Sequence, residues 1–259
     1  MAVVALVLII LTGVITGVVF AIDPALDLKI SAYFQAAEWK EVIVPIVPEI
    51  NALRQHNLVF TAAIFVISMG VLAVKLIWSR GPMLAPARAA LLVVFTFTLG
   101  PGLLVNAILK PYDPRSRPVA VMEFNQPFVQ WWDWRGTCDK NCSFVSGEAS
   151  AAYALLAPAV VVPAPWRYAA IGAVVAYGTA IGLIRVAVGD HFLTDIIFAG
   201  VFTALIVWLS HGYIYRWRLT RLSVEIIERW IEIVYLGVMA RIAKFGRAAV
   251  SAFDTQVFK

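Results

Sequence analysis

Three short stretches carry the residues that could do chemistry in this chain. The first is "LKPYDPRSRP" (109–118), with Lys110 and, seven residues on, Arg117-Pro118. The second is Ser146-Gly147-Glu148, and the third, "IRVAVGDHFLTD" (184–195), holds Arg185, His191 and Asp195. Lys110, Arg117 and Arg185 are fixed cations, and the amides of a Ser-Gly helix start add further donors. Together they suit a phosphate group. His191 and Asp195 stand at i and i+4, so on a helix they share one face. The carboxylate can then hold one ring nitrogen and leave the other as nucleophile or base. A nucleophilic imidazole among cations reads as phosphoryl transfer, with the positive charge stabilising the trigonal phosphoryl. Taken singly, each stretch has a plainer reading. Lys110 and Arg117 are common juxtamembrane anchors, Arg185 can snorkel, a His-x-x-x-Asp pair is a local hydrogen bond, and Ser146 with Glu148 is an ordinary helix start. The functional reading rests on their convergence.

Convergence depends on the elements that carry them. The chain is 61% hydrophobic and 14% charged, with mean hydropathy +0.84. A soluble domain carries roughly a quarter charged residues, so the expected class is an all-α polytopic membrane protein. A crossing helix needs ~20 apolar residues. Six such spans are expected, at 2–22, 58–78, 89–109, 147–163, 168–186 and 191–210. Gly100-Pro101-Gly102 predicts a kink or break in the third, and a tight Gly189-Asp190 turn joins the last two. The first span has no Lys or Arg before it and is long for a signal peptide, so it reads as a retained helix. No internal repeat or low-complexity tract stands out. With six spans, the loop between spans three and four opens on the same side as the turn between five and six, and all three polar stretches face one side of the membrane.

Residues 1–210 form the expected transmembrane domain, and 211–259 a basic tail. Within the tail, "RLSVEIIERWIEIVYLGVMARIAKF" (221–245) reads as an interfacial helix on an anionic leaflet, with a seventh span as the weaker alternative because of Glu232 and Arg241. Arg80, Arg88, Arg167 and eight Lys/Arg after residue 210 lie on the side of the termini. Lys29, Lys40, Arg54, Lys110, Arg115, Arg117, Arg135 and Lys140 lie on the other. The positive-inside bias is modest and places both termini in the cytoplasm. Cys138 and Cys142 fall in the third loop on the outer side, where a disulfide can persist; two free thiols are the alternative, and a metal site is disfavoured with no His nearby. The same loop carries Phe124, Phe128, Trp131, Trp132 and Trp134, either an aromatic belt or a wall around a lipid head group. The first loop (23–56) contains short amphipathic pieces such as "EVIVPIVPEI".

The spacing of the three stretches resembles the type 2 phosphatidic acid phosphatase superfamily, with its motifs Lys-x(6)-Arg-Pro, Pro-Ser-Gly-His and Ser-Arg-x(5)-His-x(3)-Asp. Lys110, Arg117 and Pro118 match the first, Ser146 and Gly147 the second, and Arg185, His191 and Asp195 the third. The resemblance implies a metal-independent, cofactor-free lipid phosphatase. His191 would form a phosphohistidine and Asp195 would orient it. Lys110, Arg117, Arg185 and the Ser146-Gly147 stretch would hold the phosphate. Val145 replaces Pro, Ile184 replaces Ser, and Glu148 stands where the family has the histidine that protonates the leaving oxygen. Glu148 is thus either a general acid or a helix cap. "NCSFVSGEAS" resembles the branch that includes bacterial lipid A phosphatases, and lipid A in the bacterial inner membrane, dephosphorylated on the periplasmic face, is the expected substrate. Polyprenyl diphosphate, phosphatidylglycerophosphate, phosphatidic acid and a lipid-to-lipid phosphotransferase are the alternatives. A transporter is disfavoured because the charges sit at helix ends. The expected partners are the bilayer and a lipid phosphate, with no nucleic acid.

Overall fold

The computed structural model describes residues 2–78, 86–218, 222 and 224–257, and among these the chain is all-helical. Helix α1 (Ala2–Ile22) leads to the short α2 (Leu26–Gln35) and α3 (Ala37–Ile43), then through a 3-10 turn into α4 (Val47–Ile77). Helix α5 (Ala87–Phe97) continues through a π-helical stretch (Thr98–Leu109) into α6 (Lys110–Tyr112). There follow α7 (Pro118–Glu123), α8 (Gly147–Tyr153), α9 (Leu156–Ala159), α10 (Arg167–Ala187), α11 (Leu193–His211) and α12 (Val224–Val257). Arg80, Arg221 and Lys259, which count toward the expected orientation, lie outside the described residues.

Five helical stretches among the described residues are long and apolar enough to cross a membrane: Ala2–Ile22, Ala37–Ile77, Ala87–Tyr112, Arg167–Ala187 and Leu193–Arg216. The fourth expected span, 147–163, is not one helix. Pro158 has no N–H for the Ala154 carbonyl, which accepts from Ala157 instead at 3.0 Å, and the segment divides into α8 and α9. Its alanines 149, 152, 154 and 157 are fully buried. Irregular backbone at membrane depth is tolerated where protein, rather than lipid, surrounds it. Helix α12, which runs through most of the expected 221–245 tail segment, is not among the five.

Two further boundaries move. The break expected at Gly100-Pro101-Gly102 takes the form of π-helical turns: Pro101 cannot donate, and the Asn106 side-chain amide donates to its carbonyl at 2.7 Å. Helix α4 begins at Val47, so Arg54 and Asn57, expected at the edge of a loop, ride on the same helix as the second span.

The core divides into two clusters along the long helices. At one end Leu92, Val93, Phe97, Leu155, Leu156 and Val207 pack together. At the other, Val105, Phe144, Val145, Tyr153, Ile196 and Phe198 form a second cluster beneath the loops. Helices α10 and α11 approach closely because Gly182 lacks a side chain; a Cβ there would stand 2.1 Å from Ile196. Helix α2 docks at the loop end, with Gln35 donating to the Ala187 carbonyl at 3.2 Å. The first loop, the third loop and the α10–α11 turn therefore meet on one face.

Candidate active site

The α10–α11 turn places His191. Gly189 adopts φ +79°, a conformation that only glycine takes without strain, and the amides of Asp190 and His191 both fold back onto the Arg185 carbonyl. The His191 ring is buried. Its Nδ1 lies 2.7 Å from the Ser143 carbonyl and 3.5 Å from Asp195 Oδ2. A carbonyl only accepts, so Nδ1 carries the proton and Nε2 keeps its lone pair. Burial pushes the imidazole below its ordinary range, against the opposing pull of Asp195, and so favours the neutral ring. Asp195, expected to grip the ring, is the second neighbour; the Ser143 carbonyl is the nearer one.

Asp195 is instead the hub of a fully buried polar cluster. Arg115 donates to Asp195 Oδ1 at 2.6 Å, to Asp27 Oδ2 at 2.8 Å, to Thr194 at 2.8 Å and to the Val129 carbonyl at 3.1 Å. The Ser143 hydroxyl and the Phe192 amide donate to Asp195 Oδ2, and the Thr194 amide and hydroxyl donate to Asp27. The Arg115 guanidinium also lies over the Phe192 ring, 4.2 Å from its centroid. Burial pushes the Asp27 carboxyl up while Arg115 pulls it the other way. One guanidinium between two carboxylates leaves a net negative cluster beside His191, suited to an imidazole that becomes positive when its Nε2 forms a bond.

A second set of charges runs from the buried Arg185 to the exposed Arg54 and alternates in sign. Arg117 reaches Asp190 at 2.8 Å, and Asp190 reaches Arg185 at 2.5 Å. Arg185 Nε stands 3.6 Å from Glu148 Oε2, and the other Glu148 oxygen is 2.7 Å from Arg54 Nε. Lys110 Nζ donates to Asn141 Oδ1 at 3.3 Å, and Arg117 Nε to the Asn141 carbonyl at 3.1 Å. Asn141, at φ +54°, sits inside the ring closed by a Cys138–Cys142 disulfide, the first of the two states weighed for these thiols. Gly147 lies against the Lys110 side chain, and a Cβ there would be 3.5 Å from Nζ. The Ser146 hydroxyl accepts from the Ala149 amide at 3.3 Å and so caps α8, while its own amide donates to the Asp195 carbonyl at 3.4 Å.

All eight residues singled out from the sequence thus lie at one end of the fold, in or beside these two assemblies. Sequence reasoning missed Asp27, Ser143 and Asn141, took Asp190 only as a turn residue, and took Arg54 and Arg115 only as topology charges. Arg115 and Asp190 lie within the motif stretches themselves, and charged residues there were the available signal. The aromatic group of the third loop splits: Phe128 and Trp131 pack inward on Phe192 and Phe198, while Phe124, Trp132 and Trp134 stay exposed.

Residues 89–219, just over half of the chain, match the family model described as PAP2 superfamily. The chain belongs to that superfamily. Among similar proteins, a lipid A 4'-phosphatase of Francisella tularensis subsp. novicida is 38% identical over 137 residues, 50% of this chain and 60% of that protein. Lipid A 4'-phosphatases of Rhizobium etli and Rhizobium leguminosarum are 39% and 33% identical, over 43% and 54% of this chain. The matches span 44–64% of the lengths of these curated relatives. No solved structure matches the chain.

Proposed function

We propose that this member of the PAP2 superfamily is a membrane lipid phosphatase that works through a phosphohistidine, with lipid A as its substrate. The observation that carries the reading is the buried His191, its Nδ1 set on the Ser143 carbonyl, in a turn whose neighbours Arg117 and Arg185 form part of a cationic rim. The names of the relatives support the substrate, and the exposed Trp132 and Trp134 suit a head group held at the membrane interface.

In the first step His191 Nε2 attacks phosphorus. The N–P bond forms, the P–O bond to the lipid breaks, and its electron pair stays on the leaving oxygen, which takes up a proton. Lys110, Arg117, Arg185 and the Ser146-Gly147 stretch hold the phosphoryl oxygens and stabilise charge developing on them. The imidazolium formed is balanced by the Ser143 carbonyl and the negative Asp195–Arg115–Asp27 cluster. In the second step water attacks phosphorus, the N–P bond breaks and inorganic phosphate leaves. Glu148 occupies the place from which the leaving oxygen receives its proton. The cations supply the charge that a metal would bring in other phosphatases, so the reaction runs without one.

The site faces the periplasm of the inner membrane, with both termini in the cytoplasm, a placement supported by the Lys/Arg bias and the Cys138–Cys142 bond. The test is phosphate release from a panel of lipid phosphates in EDTA. Wild-type protein is expected to act on lipid A, and His191→Ala to lose at least ~10³-fold while remaining folded. His191→Ala retaining more than a few per cent of wild-type turnover would sink the phosphohistidine.

A further inference from the structure

Glu148 marks the chain's departure from the family pattern, and its carboxylate already has a partner. Arg54 comes from α4, outside the segment that matches the family model, and its Nε is 2.7 Å from Glu148 Oε1. We propose that Arg54 is a further phosphate-binding cation, parked on Glu148 in the empty site and passed to the substrate's phosphate when it arrives. The proposal rests on the phosphatase reading above.

Four observations carry it. First, the two partners differ in exposure: the Arg54 side chain is 36% exposed and that of Glu148 14%, so the guanidinium lies at the mouth and the carboxylate further in. Second, α4 is pinned where Arg54 needs it. Asn57, one turn on and fully buried, donates to the Glu148 carbonyl at 3.4 Å and accepts from the Tyr177 hydroxyl at 3.0 Å. Third, Glu148 Oε2 and Arg185 Nε are buried, 3.6 Å apart, and neither has a hydrogen-bond partner among the described residues. Buried polar atoms seldom stay unpaired, and a phosphate oxygen entering here would satisfy the Arg185 donor. Fourth, the charges fit. Lys110, Arg54, Arg117 and Arg185 face the two carboxylates of Glu148 and Asp190, a formal excess of two positive charges that matches a phosphate monoester dianion.

A dianion with three free oxygens is a better partner for a guanidinium fork than a single carboxylate oxygen. Arg54 therefore moves to it. Glu148, released and now beside the dianion, accepts a proton from solvent and gives it to the leaving oxygen as the P–O bond breaks. Pairing with Arg54 keeps Glu148 out of the reaction until phosphate is seated.

The test is calorimetric binding of inorganic phosphate to the full chain in detergent, alongside turnover of a lipid phosphate. Arg54→Gln is expected to weaken phosphate binding roughly tenfold to a hundredfold, and Arg54→Lys to restore part of it. Glu148→Gln should do the opposite, binding phosphate more tightly because Arg54 is already free, while turnover falls. In the Arg54→Gln background, Glu148→Gln should no longer tighten binding. Phosphate affinity unchanged in both Arg54 variants, or tightening by Glu148→Gln that persists without Arg54, would overturn the role given to Arg54. A wild-type protein that releases phosphate from none of the lipids would overturn the phosphatase reading instead.

Discussion

The loop end of this molecule holds two charged assemblies that use the same side chains to different ends. Around Arg115, the guanidinium and the carboxylates of Asp27 and Asp195 are all 0% exposed. Along the string from Arg54 to Arg117, exposure runs from 5% at Arg185 to 36% at Arg54. In the dry cluster no ion can change partner without leaving an opposite charge uncompensated, which is costly at low dielectric. In the wet string water and an incoming anion can take over from a carboxylate at little cost. The first assembly is thus a fixture that sets the loop carrying His191. The second is a set of exchangeable contacts, and it lies where the proposed reaction seats phosphate.

That distinction can be broken most sharply at Arg115. Replacing it with Leu leaves Asp27 and Asp195 facing each other without their cation, and should cost about 3–5 kcal/mol in thermal unfolding of the detergent-solubilised protein, with phosphate release lost. Arg115→Lys should not rescue it, because one ammonium cannot reach Asp27, Asp195, Thr194 and the Val129 carbonyl together. A variant that unfolds like wild type would remove the contrast between the two assemblies.

A smaller effect is expected at Asp113, which borders the dry cluster and accepts from the Arg115 amide at 2.9 Å. Burial raises its carboxyl to about 6. Its folded value lies above the unfolded one, so its stabilising contribution is complete below ~4 and is lost as pH rises through 6. Asp113→Asn keeps the acceptor and cannot ionise, so at pH 7 it should be more stable than wild type by ~1–3 kcal/mol. Unfolding midpoints of the two should converge as pH falls toward 4; a gap that ignores pH would assign the gain to something other than titration. The smallest effect belongs to the wet string: Arg54→Gln should change stability by no more than ~1 kcal/mol. A larger loss would move Arg54 into the class of Arg115.

The same contrast explains what could be read from the sequence. Lys110, Arg117, Arg185 and His191 were legible because fixed spacing within two stretches declares them, and the helical layout then puts both stretches on one face. The dry cluster was not. Asp27 and Arg115 are 88 residues apart, and nothing local to either says that a short helix of the first loop will close over the third. Arg54 escaped for a different reason. Hydropathy ends the apolar run near residue 58, whereas α4 runs back to Val47, and helical continuation past the apolar stretch is what carries Arg54 to Glu148. The division of 147–163 into α8 and α9 was masked by its composition, since an alanine-rich apolar run looks alike whether or not Pro158 interrupts it.

The small ring closed by Cys138 and Cys142 contains Asn141, whose two oxygens touch Lys110 and Arg117. Two cations of the proposed phosphate seat therefore rest on a residue inside a covalently closed ring. The ring ties the placement of both side chains to the state of two thiols four residues apart in the sequence.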